Sequence, residues 1–335
     1  DQVRDWQGFL ASENIAVISN FGETNLDAIS LAADTTDAIR IGYHWSAIYP
    51  RNTQVAPLHQ VFFSWGDLYA EMVQQELDAR PEAILNSGCI FLENQGTDKS
   101  TPTTGGDQFV FSEGVTKKIC ILDRTLGRLN YLGMRRHRKF FTSLLDWAER
   151  DPAVGFILKF KDKEQPRLFI EAPDIAERIK ALVDEGRAIS LGGETTVSAG
   201  ARNADASIGL GYNSAGFVVA LDGCSTWFWD PTDLIDGDMK AWMVRLGLRS
   251  GENVFSDIDG LIGELDKKFE ADSRLEIDEV GSGLRSTELD PFQDTKAGAR
   301  IGWFARDFLS ALNSGIERDQ AIANAAKNYQ SRWMP

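Results

Sequence analysis

The chain has 335 residues, of which 43% are hydrophobic and 25% charged, with ten prolines spread thinly, a composition that fits a globular protein and excludes a disordered or collagen-like one. Ordinary domain sizes divide such a length into two α/β lobes. A formal charge of −15 excludes nucleic acid as the main partner, because affinity for its backbone comes from Lys and Arg neutralising phosphates.

Apolar runs alternate with helical stretches along most of the sequence, the pattern of parallel sheets with crossover helices. In an N-terminal lobe, residues 1–92, strands are expected at 15–21, 41–43, 60–64 and 83–86, and helices near 26–33 and 67–78. Four strands make an incomplete Rossmann-like lobe. The chain also opens at Asp1 without a methionine, so a truncated N-terminal lobe is expected. Residues 93–116 turn to Gly, Thr, Ser, Asp and Pro with almost no periodicity, which marks a linker.

A second lobe, residues 117–289, repeats more regularly. Strands are expected at 118–122, 155–160, 188–191, 207–210, 226–229 and 253–255, alternating with helices at 134–150, 174–185, 197–204, 214–221 and 258–270. This implies a doubly wound parallel sheet whose ligand lies beyond the carboxyl ends of its strands. The closing segment, 290–335, carries two amphipathic helices at 295–312 and 317–333. Their apolar residues, among them Ile301, Phe304, Phe308 and Leu312, recur at helical spacing and are expected to pack back across the first lobe.

Cys89, Cys120 and Cys224 are odd in number and far apart, which fits reduced residues in a reducing compartment. No run approaches the roughly 20 apolar residues of a membrane span, and the first residues lack the basic-then-apolar layout of a signal peptide. A cytoplasmic protein is expected. Arg135, Arg136, His137, Arg138 and Lys139 open a helix; such a run is first a solvated face, with an anionic ligand or lipid headgroups of the inner membrane surface as the alternative.

Three segments could carry chemistry. Residues 206–231, ASIGLGYNSAGFVVALDGCSTWFWDP, run from a strand through Asn213, Ser214, Ala215 and Gly216 into a helix, then to a strand ending in Asp230. A strand opening onto a small-residue turn and a helix presents backbone N–H groups and a positive dipole end to phosphate oxygens. Asn213 or Ser214 acting only as a helix cap is the alternative, and the two roles are compatible. The segment matches neither GxGxxG nor a P-loop. Residues 191–198 form a second such junction, where Glu194 could accept from ribose or sugar hydroxyls and Thr195, Thr196 and Ser198 could donate to phosphate, or Thr196 could be a cap. At the end of another strand, Lys159 or Lys161 could neutralise a diphosphate, although exposed strand-end lysines usually do nothing specific. Asp236-Gly237-Asp238 is formally a DxD, but it precedes a helix and is read as capping; no metal and no cofactor are expected.

The order of residues 156–161, 198–204, 208–216 and 228–231 resembles the nucleotide-sugar-binding lobe of GT-B glycosyltransferases, especially bacterial capsule and surface-polysaccharide transferases. Residues 40–46, 61–66, 290–294 and 296–302 resemble such enzymes more loosely. In the lysine loop, Phe160 and Lys161 stand where the family commonly has Pro and His. The resemblance implies two Rossmann-like lobes and transfer of a sugar from a nucleotide-sugar donor to a surface-polysaccharide or lipid-linked glycan acceptor. It also implies a general base from the N-terminal lobe, for which Glu23 and His44 are the candidates. Glu23 could equally complement a helix dipole, and His44 could pack beside Trp45. Alternatives are a CDP-linked polyol-phosphate transferase on the same scaffold and a non-catalytic nucleotide-sugar-binding protein. A nucleotide-sugar epimerase would need several carboxylates and histidines to converge, and the chain has three histidines.

Overall fold

A computed structural model describes residues 2–20, 28–33, 35–36, 38–44, 59–76, 81–95, 109–124, 132–161, 167–192, 195–232, 240–271, 284 and 287–334. The chain divides into two compact units, residues 1–93 with 287–335, and residues 94–286. Every strand pairing described in either unit is parallel.

The first unit opens with a helix that the apolar alternation does not announce, α1 (Gln2–Ser12). Only Leu10 of that helix is fully buried, while Trp6 and Phe9 stay largely exposed, so its apolar stripe is weak. The amide of Ile15 closes α1 by bonding to the carbonyl of Leu10 at 3.1 Å. That is why β1 (Val17–Asn20) starts two residues later than the apolar run. After α2 (Ala28–Ala33) come β2 (Ile39–Tyr43), β3 (Val61–Ser64), α3 (Asp67–Glu76) and β4 (Ala83–Asn86), and the sheet order is β1-β2-β3-β4. All residues of β2 and β3 are buried, as expected of parallel strands covered on both faces.

The second unit contains β5 (Lys117–Leu122), α4 (Gly133–Arg150), β6 (Val154–Lys159), α5 (Arg167–Glu171), α6 (Pro173–Asp184) and β7 (Ala188–Leu191). It continues with α7 (Val197–Ala201), β8 (Ala206–Leu210), α8 (Ser214–Leu221), β9 (Thr226–Trp229), α9 (Lys240–Arg245), β10 (Val254–Phe255) and α10 (Ile258–Ala271). The short α5 lacks enough turns to show a period. The sheet order is β10-β9-β8-β5-β6-β7. The chain thus winds outward from β5 to β7, crosses back, and winds the other way from β8 to β10. In such a doubly wound sheet the ligand crevice lies at the reversal, beyond the carboxyl ends of β5 and β8.

The core of this unit follows from helix periodicity. His137, Phe140, Phe141, Leu144, Leu145 and Ala148 of α4 recur at spacings of three and four and are all buried; Phe140 stacks on Trp229 of β9 with ring centroids 5.7 Å apart. Helix α8 is apolar on every side, and Phe217 to Leu221 are all buried, each large side chain contributing roughly 1.5–3 kcal/mol. Residues 109–116 also pack here: the Ser112 amide donates to the Gly186 carbonyl at 2.9 Å, and the Phe111 ring lies against Gly155.

The terminal helices α11 (Ala297–Asn313) and α12 (Arg318–Trp333) belong to the first unit. Phe304, Phe308, Ala321, Ile322, Ala325 and Tyr329 share one core with Ile39, Ile41, Tyr43, Val61, Phe63 and Leu85 of its sheet. Ile301 and Leu312 pack at the margin of that core, and the Tyr329 hydroxyl donates to the Asn86 carbonyl at 2.7 Å. No described helix is long and apolar enough to cross a membrane.

Candidate functional site

The carboxyl edge of the six-stranded sheet gathers most of the donor-side residues singled out in the sequence. Beyond β8, Gly211 takes φ +60°, a left-handed conformation that suits glycine, and turns the chain into Tyr212 and Asn213. The Asn213 side chain caps α8 by accepting from the Gly216 amide at 2.8 Å, and its Nδ2 reaches the Leu122 carbonyl of β5 at 3.4 Å. One side chain thereby links the two strands that flank the reversal. Ser214, Ala215 and Gly216 form the first turn of α8, where backbone amides are aimed away from the helix. The smallness of Gly216 has a separate cause: a Cβ there would lie 2.4 Å from the Phe228 ring. Gly216→Ala is therefore expected to destabilise the second unit by about 1–3 kcal/mol through overpacking, measured by denaturant unfolding; an unchanged midpoint would contradict it.

After β7, Thr196 caps α7 by accepting from the Ala199 amide at 3.2 Å, and the Thr195 amide bonds to the Gly192 carbonyl at 3.2 Å. Ser198 is buried in the first turn of α7. Lys159, the last residue of β6, donates from Nζ to the Gly192 carbonyl at 3.2 Å, which ties its charge to the exit of β7. The exposed Lys161 bonds through its amide to Asp123 Oδ1 at 3.3 Å. Asp230 is buried at the end of β9 and accepts from the amide and hydroxyl of Thr232, the amide at 3.0 Å. It shapes the turn that follows the strand. Glu194, the DxD residues Asp236 and Asp238, and Glu23 lie outside the described residues.

The strand order separates these groups. With neighbouring strands roughly 4.8 Å apart, β7 lies about 14 Å from β8 across β5 and β6, so one phosphate cannot meet both turns, whereas an extended nucleotide could. Two residues absent from the sequence reading stand nearer the reversal. Asp123 and Arg124 directly follow β5, and Arg124 Nη1 donates to the Tyr212 carbonyl at 2.8 Å, placing a cation beside the turn that opens α8. Their signal was a polar pair at the end of an apolar run. The basic run of α4 is divided: Arg138 and Lys139 pair with Asp174 and Asp259, and His137 is buried rather than solvated.

In the first unit, His44 directly follows β2 and is 0% exposed. Its ring lies 3.7 Å from that of Tyr69 and 4.6 Å from that of Trp65, centroid to centroid, and the Trp65 indole donates to its carbonyl at 2.9 Å. Burial raises the Cys89 and Cys120 thiols far above their ordinary range and the Cys224 thiol to about 12, so none is poised as a nucleophile. Among the described residues no group of three or more His, Cys, Asp or Glu is placed to hold a metal ion.

No family model matches the sequence, and no curated protein matches it. Solved structures do. The wall teichoic acid polymerase TagF, in a structure with CDPG, aligns with a TM-score of 0.57 at 14% identity, covering 96% of this chain and 74% of that one. The UDP-GlcNAc 2-epimerase from Methanocaldococcus jannaschii aligns at 0.55 and 12%, covering 91% and 80%. HepE from Anabaena, in complex with UDP and glucose, aligns at 0.52 and 12%, covering 89% and 80%. At these identities the likeness is one of fold: the chain has the two-unit, parallel-sheet architecture that GT-B-like proteins share.

Proposed function

We propose that the chain is a glycosyltransferase that moves a sugar from a nucleotide-sugar donor to a surface-polysaccharide or lipid-linked glycan acceptor. The observation that carries this reading is the reversal between β5 and β8, where the capped N-terminus of α8 and the Arg124 guanidinium stand at one sheet edge. Donor phosphates would lie against Asn213, Ser214, Ala215 and Gly216, since helix N-termini and cations stabilise the charge that develops on a departing diphosphate. The ribose or sugar end would extend toward the β7 exit, to Glu194, Thr195, Thr196 and Ser198, with Lys159 and Lys161 adding charge between. Asp230 would hold the far side of the turn. Glu23 is our choice for the general base.

A second reading, a CDP-linked polyol-phosphate transferase, is favoured by the likeness to TagF, described with CDPG. Isotopically labelled donors separate the two by showing whether a glycosyl or a polyol-phosphate group reaches the product. The first test is a melting-temperature screen against UDP, GDP, CDP and CMP. A ligand present at 100 times its Kd stabilises the native state by about 2.7 kcal/mol, so one nucleotide should raise the midpoint clearly; no shift with any of them would overturn the proposal. Ser214→Ala should then weaken binding of that nucleotide by about 1 kcal/mol, the worth of one ordinary hydrogen bond. An unchanged Kd in calorimetry would assign Ser214 to the helix alone.

A further inference from the structure

His137 lies on α4 with its ring 1% exposed. Nδ1 is 2.9 Å from the Gly133 carbonyl, in the first turn of the same helix, and Nε2 is 3.0 Å from the Arg124 carbonyl, just beyond β5. Both partners are carbonyl oxygens, so a ring nitrogen can act on either only as a donor; the neutral ring carries one N–H, and on Nε2 that N–H serves the Arg124 carbonyl. It therefore fastens the first turn of α4 to the residue that leaves the strand beside the reversal. Arg124 in turn donates to the Tyr212 carbonyl at 2.8 Å, one residue before the Asn213 cap of α8. Three segments distant in sequence are joined in series: α4 to the backbone of Arg124 through an imidazole, and the Arg124 side chain to the turn that opens α8.

From this series we propose that His137 is a positioning residue for a diphosphate site: it touches no ligand, and it fixes the Arg124 backbone so that the guanidinium charge stays beside the N-terminus of α8. The inference rests on the nucleotide-donor reading and adds to it the device that aims the cation. A buried histidine among Phe140, Phe141 and Leu144 could otherwise be a leucine. The imidazole matters because leucine offers no donor to the half-buried Arg124 carbonyl, and a rigid ring supplies one with little freedom to drift. Without that bond the backbone that carries the guanidinium can shift, and the charge moves with it relative to the Tyr212 carbonyl.

The test uses the full chain and inorganic pyrophosphate, with the nucleoside diphosphate found in the screen and its parent nucleoside as companions, all titrated by calorimetry. His137→Leu is expected to weaken pyrophosphate and the nucleoside diphosphate by about five- to tenfold, the worth of a charge-assisted contact that is loosened rather than deleted, and to leave the nucleoside alone unchanged. His137→Gln, which keeps one side-chain N–H donor, should recover most of the affinity. In a double-mutant cycle, Arg124→Met with His137→Leu should be no weaker than Arg124→Met alone, because the two act as one unit. A merely structural histidine gives a different pattern: a lower melting temperature in both variants, equal loss for all three ligands, and additive effects with Arg124→Met. That pattern, or unchanged pyrophosphate affinity in His137→Leu, overturns the inference while leaving the donor reading intact. If His137→Leu does not fold, His137→Met, which also lacks an N–H donor, replaces it in the titrations and in the cycle. Failure of the wild-type chain to bind either pyrophosphate or a nucleoside diphosphate overturns the donor reading and this inference with it.

Discussion

Asp290→Ala is expected to unfold the first unit selectively, at a cost of about 2–6 kcal/mol. The Asp290 carboxylate is 0% exposed and accepts three backbone amides, Cys89 at 2.9 Å and Phe292 and Gln293 at 2.9 Å each. It joins the loop after β4 to the segment returning from the second unit. Alanine would leave the buried Cys89 N–H without its acceptor, at about 1–3 kcal/mol, and remove the part-buried bonds to Phe292 and Gln293, each worth about 0.5–1.5 kcal/mol, against the 5–15 kcal/mol that typically holds a domain. Hydrogen exchange should show the amides of β2, β3 and β4 losing protection while those of β5, β6 and β8 keep theirs. Equal loss in both sheets, or none, would contradict the assignment.

The neighbouring ion pair makes the same region sensitive to acid. Arg300 is 2% exposed, donates to the Ser87 carbonyl at 3.0 Å and to both Asp294 oxygens at 2.9 and 2.6 Å, and stacks on Phe292 at 3.6 Å. Burial alone would push the Asp294 carboxyl up, but the Arg300 hydrogen bonds and the Lys296 amide outweigh it and hold the group below its ordinary value. A carboxyl depressed in the folded state contributes stability above its unfolded pKa of about 3.9 and loses that contribution as the pH falls through the folded value. Arg300→Met should flatten this part of the acid-unfolding curve.

Much of the second sheet was legible because parallel strands leave short apolar runs: Ala188–Leu191, Thr226–Trp229 and, in the first sheet, Ala83–Asn86 coincide with the runs that announce them, while β5, β6, β8 and β10 depart from theirs by one residue. Strand order was not legible. It depends on which strands meet across long separations, and it decides that the β7 and β8 turns stand three strands apart. Thr196 and Asn213 were readable as caps because an Ncap acts within four residues of itself. His137 was hidden by its neighbours: amid four cations it looks solvated, yet it falls on the α4 stripe with Phe140, Phe141 and Leu144. Position on the stripe, not charge, fixed its burial. Arg124 could be placed only once the Tyr212 carbonyl beside it was known, a contact spanning 88 positions.

The largest expected effect on activity is that of Glu23→Gln, which should lower turnover by about 10²–10⁴-fold once the donor has been identified. An inverting transfer needs a group to take the proton of the acceptor hydroxyl as the new bond forms, and a neutral amide of nearly the same shape cannot. Glu23 stands three positions beyond Asn20, the last residue of β1, and open parallel sheets present their reacting groups from the loops that follow the carboxyl ends of strands. His44 has the same place relative to β2, but its ring is enclosed by Tyr69 and Trp65, which leaves no face for an acceptor hydroxyl. His44→Gln should therefore lower the melting temperature and leave turnover per folded molecule within about tenfold, below the range of a lost base. Donor affinity should change little in Glu23→Gln, because the base acts on the acceptor; a loss confined to KM for the donor would place Glu23 on the wrong substrate. Near-normal turnover in that variant would reject Glu23, and a selective loss in His44→Gln would transfer the role to the imidazole. If both variants keep their turnover, the anomeric configuration of the product decides the matter, since a retaining transfer requires no such base.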